Sequence, residues 1–514
     1  MNKGSTLEIN TLPSVSSTLS RRSSMQPLLI TISVMMATVM QALDTTIANV
    51  ALPHMQGSLG ATQDQISWVL TSYIVAAAIF MPLTGFLSDR LGRKRLFTWS
   101  VAGFTLTSML CGAAQNLEQI VFFRLLQGIC GAALVPLSQS ILLDTYPKEK
   151  HGSAMAMWGV GVMIGPILGP LLGGWLTEYY NWRWVFYINV PLGVLTWFGI
   201  TAFVKETPLN TDRRFDLMGF AFLSLAIGAL QMMLDRGETL NWFTSPEIIL
   251  ECALAGTALY LFIVHIFTHP KPFIEPELFK DRNFSVGLIF IFIVGIILLA
   301  TIALLPPFMQ VLMGYPVLDV GQILAPRGIG TMIAMLLVGK LSGKVDPRYK
   351  IGSGILLISF SLWEMTWYTT ETTAATLIRN GMIQGFGLGF VFVPLSTVTF
   401  STLAQKYRNE GTALFSLMRN IGSSIGISVV VTYLSQQNQS NHAAFANYLN
   451  PFNQNLLQAT QNKALSIDTV QGLMRLDQII SEQALTLAYL QDFRLMMMVA
   501  LLSLPLLFLL KSNH

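Results

Sequence analysis

The sequence predicts an all-α integral membrane protein with fourteen membrane-crossing helices, and three observations carry that expectation. Of its 514 residues 52% are hydrophobic and only 11% charged, with a mean hydropathy of +0.55, outside the usual range of a water-soluble chain. Apolar runs begin near residues 27, 66, 95, 118, 153, 182, 215, 247, 284, 318, 350, 374, 411 and 492. Crossing a hydrocarbon core of roughly 30 Å takes about 20 such residues as helix, because in lipid the backbone must satisfy its own hydrogen bonds. Finally, the cations between the runs alternate from one loop to the next.

That alternation sets the orientation, since Lys and Arg collect in cytoplasmic loops. One set of loops holds Arg90, Arg93, Lys94 and Arg95; Lys148 and Lys150; Lys205, Arg213 and Arg214; Lys271, Lys280 and Arg282; Lys344, Arg348 and Lys350; Lys406 and Arg408. The intervening short loops hold almost none, Arg236 being the main exception. Both termini are therefore expected in the cytoplasm, which requires an even number of spans. Residues 1–26 are polar, rich in Ser and Thr, and end in Arg21 and Arg22. The run that follows contains Asp44 and no small-residue cleavage pattern, so a cytoplasmic tail leading into a retained helix is expected, not a signal peptide.

Composition also excludes several classes. A net charge of +4 without a basic face interleaved with aromatics argues against nucleic acid as a partner. Cys111, Cys130 and Cys252 lie inside apolar runs and read as small buried residues, implying neither disulfides nor a metal. There is no His-rich ligand spacing, no Gly-rich phosphate loop and no filter-like repeat, so an enzyme, a nucleotide-driven pump and a passive channel are all disfavoured.

An internal repeat organises the chain. Gln127-Gly128 followed by Pro136-Leu137-Ser138 has a counterpart in Gln384-Gly385 followed by Pro394-Leu395-Ser396. Tyr146 to Gly152, leading to Gly161 and Gly165, matches Tyr407 to Gly411, leading to Gly422 and Gly426. The expected organisation is a six-helix half at 27–206, an inserted helix pair with its linkers at 207–282, and a second six-helix half at 283–514. A long loop at 437–490 carries Leu473, Leu476, Ile480, Ala484 and Leu487 on one helical face. It is expected to fold back as a surface helix, or else to dock an extracytoplasmic partner.

Charges embedded in apolar runs mark function, because a carboxylate in a span costs a few kcal/mol even on lenient scales and must face a cavity or a partner. Asp44, in the first run, is the best candidate for a proton carrier: burial disfavours its charged form and a nearby cation favours it, so its proton affinity would follow conformation. Counting about 1.5 Å per residue places Arg124 at a similar depth, which makes the two a coupling pair or a static ion pair. Arg327, Glu364, Arg379 and Arg419 are expected to face the interior as substrate-path charges, or to balance one another. Glu251 and His265 are expected near the ends of their run, reaching toward the interface.

Two glycine motifs complete the pattern. In the turn from Gly85 through Asp89, Arg90, Gly92 and Arg93 to Arg95, one glycine permits close helix contact, the other a tight turn, and Asp89 among cations can form a charge latch. The matching stretch from Gly339 to Asp346 has Gly343 where the carboxylate should be, so the latch is assigned to the first half alone. Gly161, Gly165, Gly169 and Gly173 recur every fourth residue, with Pro166 and Pro170 among them. Such a groove lets backbones approach closely, and the prolines remove two backbone donors; a hinge or seal between the halves is expected.

These motifs, with Leu43 to Pro53, Trp182 to Pro191 and Met233-Leu234-Asp235-Arg236-Gly237, resemble the fourteen-helix drug:proton antiporters of the major facilitator superfamily, EmrB-type efflux pumps in particular. The resemblance covers most of the chain. It implies alternating access between two halves, a proton as the coupling ion and no other cofactor, hydrophobic toxic compounds as substrates, and a bacterial inner membrane. It further implies a periplasmic adaptor of the EmrA type and a TolC-type outer-membrane channel. A dedicated exporter of a metabolite, siderophore or fatty acid is the alternative expectation.

Overall fold

The computed structural model describes residues 16–209, 215–449 and 469–511, and all secondary structure among them is helical. The first half holds α1 (Ser16–Leu59), α2 (Gln63–Phe80), α3 (Leu83–Leu91), α4 (Arg93–Ala113), α5 (Leu117–Gly131), α6 (Leu134–Thr145), α7 (His151–Tyr179), α8 (Trp184–Tyr187) and α9 (Asn189–Phe203). The inserted pair is α10 (Leu217–Arg236) and α11 (Pro246–Thr268). The second half holds α12 (Arg282–Pro307), α13 (Val317–Lys340), α14 (Pro347–Met365), α15 (Ala374–Ser401), α16 (Arg408–Ala446) and α17 (Val470–Leu502).

Twelve of the described helical segments are long and apolar enough to cross a membrane, and the pair α2 and α3, bent by 58°, makes a thirteenth. Pro82 lies at that break, where it supplies no backbone N–H and disfavours continued helix. The expected fourteenth span is α14, but Arg348, Lys350 and Glu364 within its 19 residues leave it outside that set. It packs between α15 and α17 all the same.

Within the first half α1 lies against α7, α9 and α6, while α2 packs on α5 and α4 on α5 and α9. In the second, α12 pairs with α16, and α15 with α13 and α14. The halves meet where α7 packs on α13 and α15, and where α3 and α6 touch α16. At this seam the fully buried Trp158 stacks on Phe392, with ring centroids 5.8 Å apart and planes within 12°. The inserted helices pack on each other, and α10 touches both α2 and α16.

The 437–490 expectation needs correction. Its amphipathic stretch is not a separate folded-back helix but the first part of α17, which runs unbroken for 33 residues. Neither a proline nor an internal cap interrupts it. Likewise α16 continues for 39 residues to Ala446. The two rods are joined where Asn441 Nδ2 donates to Ala484 O at 3.3 Å and His442 Nε2 lies 3.2 Å from Asp477. Leu476 and Ala484 are buried between them, whereas Leu473 is exposed. The segment 450–468 lies outside the described residues.

Candidate functional site

Asp44 and Arg124 are both essentially inaccessible, and Arg124 Nη1 stands 2.6 Å from Asp44 Oδ2. The other carboxylate oxygen accepts from Gln127 Nε2 at 2.9 Å and from Asn189 Nδ2 at 2.8 Å. Arg124 is held in turn: Nε donates to Val69 O at 3.0 Å and Nη1 to Gln127 Oε1 at 2.9 Å. Its guanidinium also lies 4.3 Å from the Tyr73 ring centroid, a cation–π contact. Gly128 allows this arrangement, because a Cβ there would strike Tyr73 O and hold α5 off α2. Both carboxylate oxygens of Asp44 are thus matched by donors, which helps a buried ion pair offset its desolvation. Sequence reasoning expected Asp44 and Arg124 near each other but missed the roles of Gln127, Asn189 and Ser108, which accepts from Asn189 Nδ2 at 3.0 Å.

The glycine stripe of α7 faces α1, within the first half, and this corrects the expected hinge or seal between halves. A Cβ on Gly161 would approach Met35 to 3.1 Å, one on Gly165 the backbone of Ala42 to 2.5 Å, and one on Gly173 Ile47 O to 3.3 Å; Gly169 sits on Thr46. Thr46 Oγ1 also donates to Gly165 O at 3.1 Å. The spacing of four puts these glycines on one face, and that face meets the helix bearing Asp44. A different face of α7 forms the seam, with Gly152 on Ser342 and Gly159 on Met335. Although Pro166 and Pro170 lie in its middle, α7 is continuous.

Hydrogen bonds and ion pairs between the halves gather at one end of the bundle, around the turn from Gly85 to Arg93. Gly85 packs on the backbone of Glu410, to which a Cβ would come within 3.0 Å. Asn409 Nδ2 donates to Asp89 Oδ1 at 3.2 Å, and Ser140 Oγ to Asn409 Oδ1 at 2.6 Å. Arg93 Nη1 lies 2.6 Å from Asp144, whose carboxylate also pairs with Arg408 across the seam. Gly92 adopts φ +91°, open to glycine at no steric cost. Glu206 seats against it and accepts from Lys94 N at 3.0 Å and Arg95 N at 3.1 Å, an anion on the first turn of α4. Arg90 lies 5.9 Å over the Phe86 ring. In the degenerate second copy Gly339 presses on Ala156. A cavity of about 230 Å³ remains between the halves here, lined by Lys148, Ser342, Lys350 and Thr397 among others.

A sequence-family model described as Major Facilitator Superfamily matches residues 34–427. The chain belongs to the Major Facilitator Superfamily. It is accordingly a multi-pass membrane transporter and not an enzyme. It is 37% identical over 437 residues to the multidrug export protein EmrB of Escherichia coli K12, covering 84% of each chain. It is likewise 37% identical to the fatty acid resistance protein FarB of Neisseria gonorrhoeae, over 83% of this chain and 84% of that one. The fold also matches the crystal structure of the human organic anion transporter MFSD10, with a TM-score of 0.59 at 14% identity, covering 92% of this chain and 99% of that one.

The remaining charges of this major facilitator chain divide into two kinds. Arg379 is exposed and pairs with Glu364, which also accepts from Asn380 Nδ2 at 2.9 Å. These two lie near the end of α14 and the start of α15, so the expectation that they face the interior fails for Arg379: an arginine one turn inside a helix reaches solvent along its own stem. By contrast Arg327 is buried and Arg419 half-buried, and neither guanidinium has an ion-pair or hydrogen-bond partner among the described residues. Neither balances Glu364. Glu251 is buried, with one oxygen unpaired among the described residues, and His265 pairs with Asp216 at 2.8 Å. One embedded acid escaped sequence reasoning: Asp492, read there only as the start of the last apolar run, is fully buried in α17.

Proposed function

We propose that this chain exports hydrophobic toxic compounds across a bacterial inner membrane in exchange for protons, by alternating access, with both termini in the cytoplasm. The observation that carries the reading is the buried Asp44–Arg124 pair, with both carboxylate oxygens met by donors in the conformation seen. The similarity to EmrB supports the substrate class. The proton is the coupling ion, and no resident cofactor enters. A periplasmic adaptor and an outer-membrane channel are the partners implied.

Each cycle then turns on the proton content of Asp44. With Asp44 ionised, α1, α5 and α9 are drawn together around one carboxylate. Protonation removes the Coulombic tie to Arg124, which keeps Val69 O, Gln127 Oε1 and the Tyr73 ring as partners. Because the glycine face of α7 clasps α1 and its other face clasps α13, a shift of α1 reaches the seam through one continuous helix. The Arg93–Asp144–Arg408 network closes the end that the cation bias assigns to the cytoplasm, so the conformation described is shut on that side.

A second reading draws on Arg327 and Arg419. Two unpaired cations in the second half suit a carboxylate-bearing amphiphile, and FarB, by its name, confers fatty acid resistance. Purified protein in liposomes tests both. Substrate-driven proton release is expected with lipophilic dyes and is lost in Asp44→Asn; unchanged release in that variant would remove Asp44 as carrier. Release evoked by fatty acids but not by dyes, and lost in Arg327→Gln, would favour the second reading.

A further inference from the structure

The last helix of the second half holds a carboxyl group that the account above does not use. Asp492 has no exposed surface, and both of its oxygens are buried without a hydrogen-bond partner among the described residues. Its neighbours in sequence are packed in an aromatic cluster: Tyr489 and Phe493 lie 5.3 and 6.3 Å from the Phe308 ring, and Phe493 lies 6.4 Å from Tyr368.

No charge among the described residues compensates it. The helices packed on α17 are α12, α14 and α16. Between Arg282 and the end of the turn at Leu312, α12 and its continuation carry no titratable side chain. On α14, Arg348, Tyr349 and Lys350 lie at the far end of the helix, and Glu364 is taken by Arg379 and Asn380. On α16, His442 is taken by Asp477, while Arg408, Glu410, Arg419 and Tyr433 form no hydrogen bond or ion pair with Asp492. On α17 itself Tyr489 is buried beside it, Arg494 is exposed, and Gln491 receives Asn441. A naked carboxylate in such surroundings costs far more than a neutral acid, so the group is accommodated only with its proton on.

We propose that Asp492 is a second proton-carrying site, loaded in this conformation, and that the second half thereby takes part in coupling. The proposal rests on the proton-driven reading above. In the conformation described, the two acids stand in opposite surroundings: Asp44 is met by Arg124, Gln127 and Asn189, and Asp492 has no donor among the described residues. To release its proton, Asp492 must gain water or a donor, which requires α17 to part from the Phe308–Tyr368 cluster. The O–H bond then breaks to give a carboxylate and a hydrated proton, and closure of the cluster demands that a proton return. Loading is thus tied to the packing of α17 on the ends of α12 and α14. An unpaired buried polar group also lowers stability, so its presence calls for a use other than holding the fold.

The test compares wild type, Asp492→Asn, Asp492→Leu and Asp492→Glu in liposomes, with substrate flux and proton flux measured together against pH. In wild type the proton-to-substrate ratio is measurable; in the Asn and Leu variants it falls by one proton and the pH profile of transport loses one titration, while Glu restores both. The Leu variant, which replaces an unpaired polar group by an apolar one, should melt at a higher temperature than wild type and stands in for Asn should Asn fold poorly. A ratio and pH profile identical to wild type in a folded Asn or Leu variant overturns the role of Asp492. Absence of any proton flux in wild type overturns the proton-driven reading instead.

Discussion

Arg408→Ala should tip the transporter toward a state open at the end now closed. Arg408 is the cation through which the second half reaches Asp144, and it also donates to Leu143 O at 3.2 Å. Its side chain is 9% exposed and that of Asp144 17%, so the pair is little screened. A charge-assisted hydrogen bond of this kind contributes about 1.5–3 kcal/mol. Since the open state lacks the contact and wets both groups, that energy is lost from the closed state alone, which shifts the equilibrium roughly 10- to 150-fold. Asp144 retains Arg93 at 2.6 Å, so the first half keeps its own structure. Spin labels on the 148–150 turn and the 341–345 turn, in a background without Cys111, Cys130 and Cys252, report the separation of the halves by pulsed dipolar spectroscopy. A longer distance gaining population in Arg408→Ala is expected. A distribution identical to that of the parent would refute the argument that this network holds the seam shut.

Three further outcomes follow from the geometry. Asp44→Leu and Arg124→Leu should each lower stability by about 3–5 kcal/mol, because each strands a buried charge; the double variant should fall short of the sum by about 2 kcal/mol in a denaturation cycle, and additivity would deny the pairing. Gly165→Ala drives a methyl into the Ala42 backbone and should cost about 1–3 kcal/mol, read as a lowered melting temperature, whereas Gly57→Ala, with nothing within 4 Å, should not. Asp216 at the start of α10 is buried, which pushes its carboxyl up, but the N–H groups of Gly219, His265 and Phe273 outweigh this and hold it below its ordinary value. Its contribution is therefore present at neutral pH and is lost as pH falls below about 4: Asp216→Asn should melt lower at neutral pH, with a shallower decline in acid, and equal slopes would contradict this.

Much of the fold is legible in the sequence because lipid leaves few options. A run such as Phe284 to Leu305 has no stable alternative to a spanning helix. The pair Asp44 and Arg124 is legible for the same reason, since an embedded charge must find a partner and the depths agree. Other parts of the site are not. Asp144, Arg408 and Asn409 look like ordinary loop residues, and only the folded seam brings together positions more than 260 residues apart in the chain. The glycine stripe of α7 announces close packing but not its partner, because periodicity defines a face without saying which helix will meet it. Gln127 and Asn189 read as marks of a repeat and of an aromatic string, and their donation to Asp44 depends on the meeting of α1, α5 and α9. Asp492 hides at the edge of an apolar run, where a charge is unremarkable until the continuation of α17 shows it to be buried.

The central claim, proton-driven export, is tested most directly by imposing a pH gradient on liposomes that contain only this protein and a fluorescent lipophilic substrate outside. An acidic lumen should drive accumulation of the substrate as protons leave. The accumulation should collapse when the gradient is dissipated and be absent in Asp44→Asn. Accumulation that persists without the gradient, or that requires an alkaline lumen, would contradict the account.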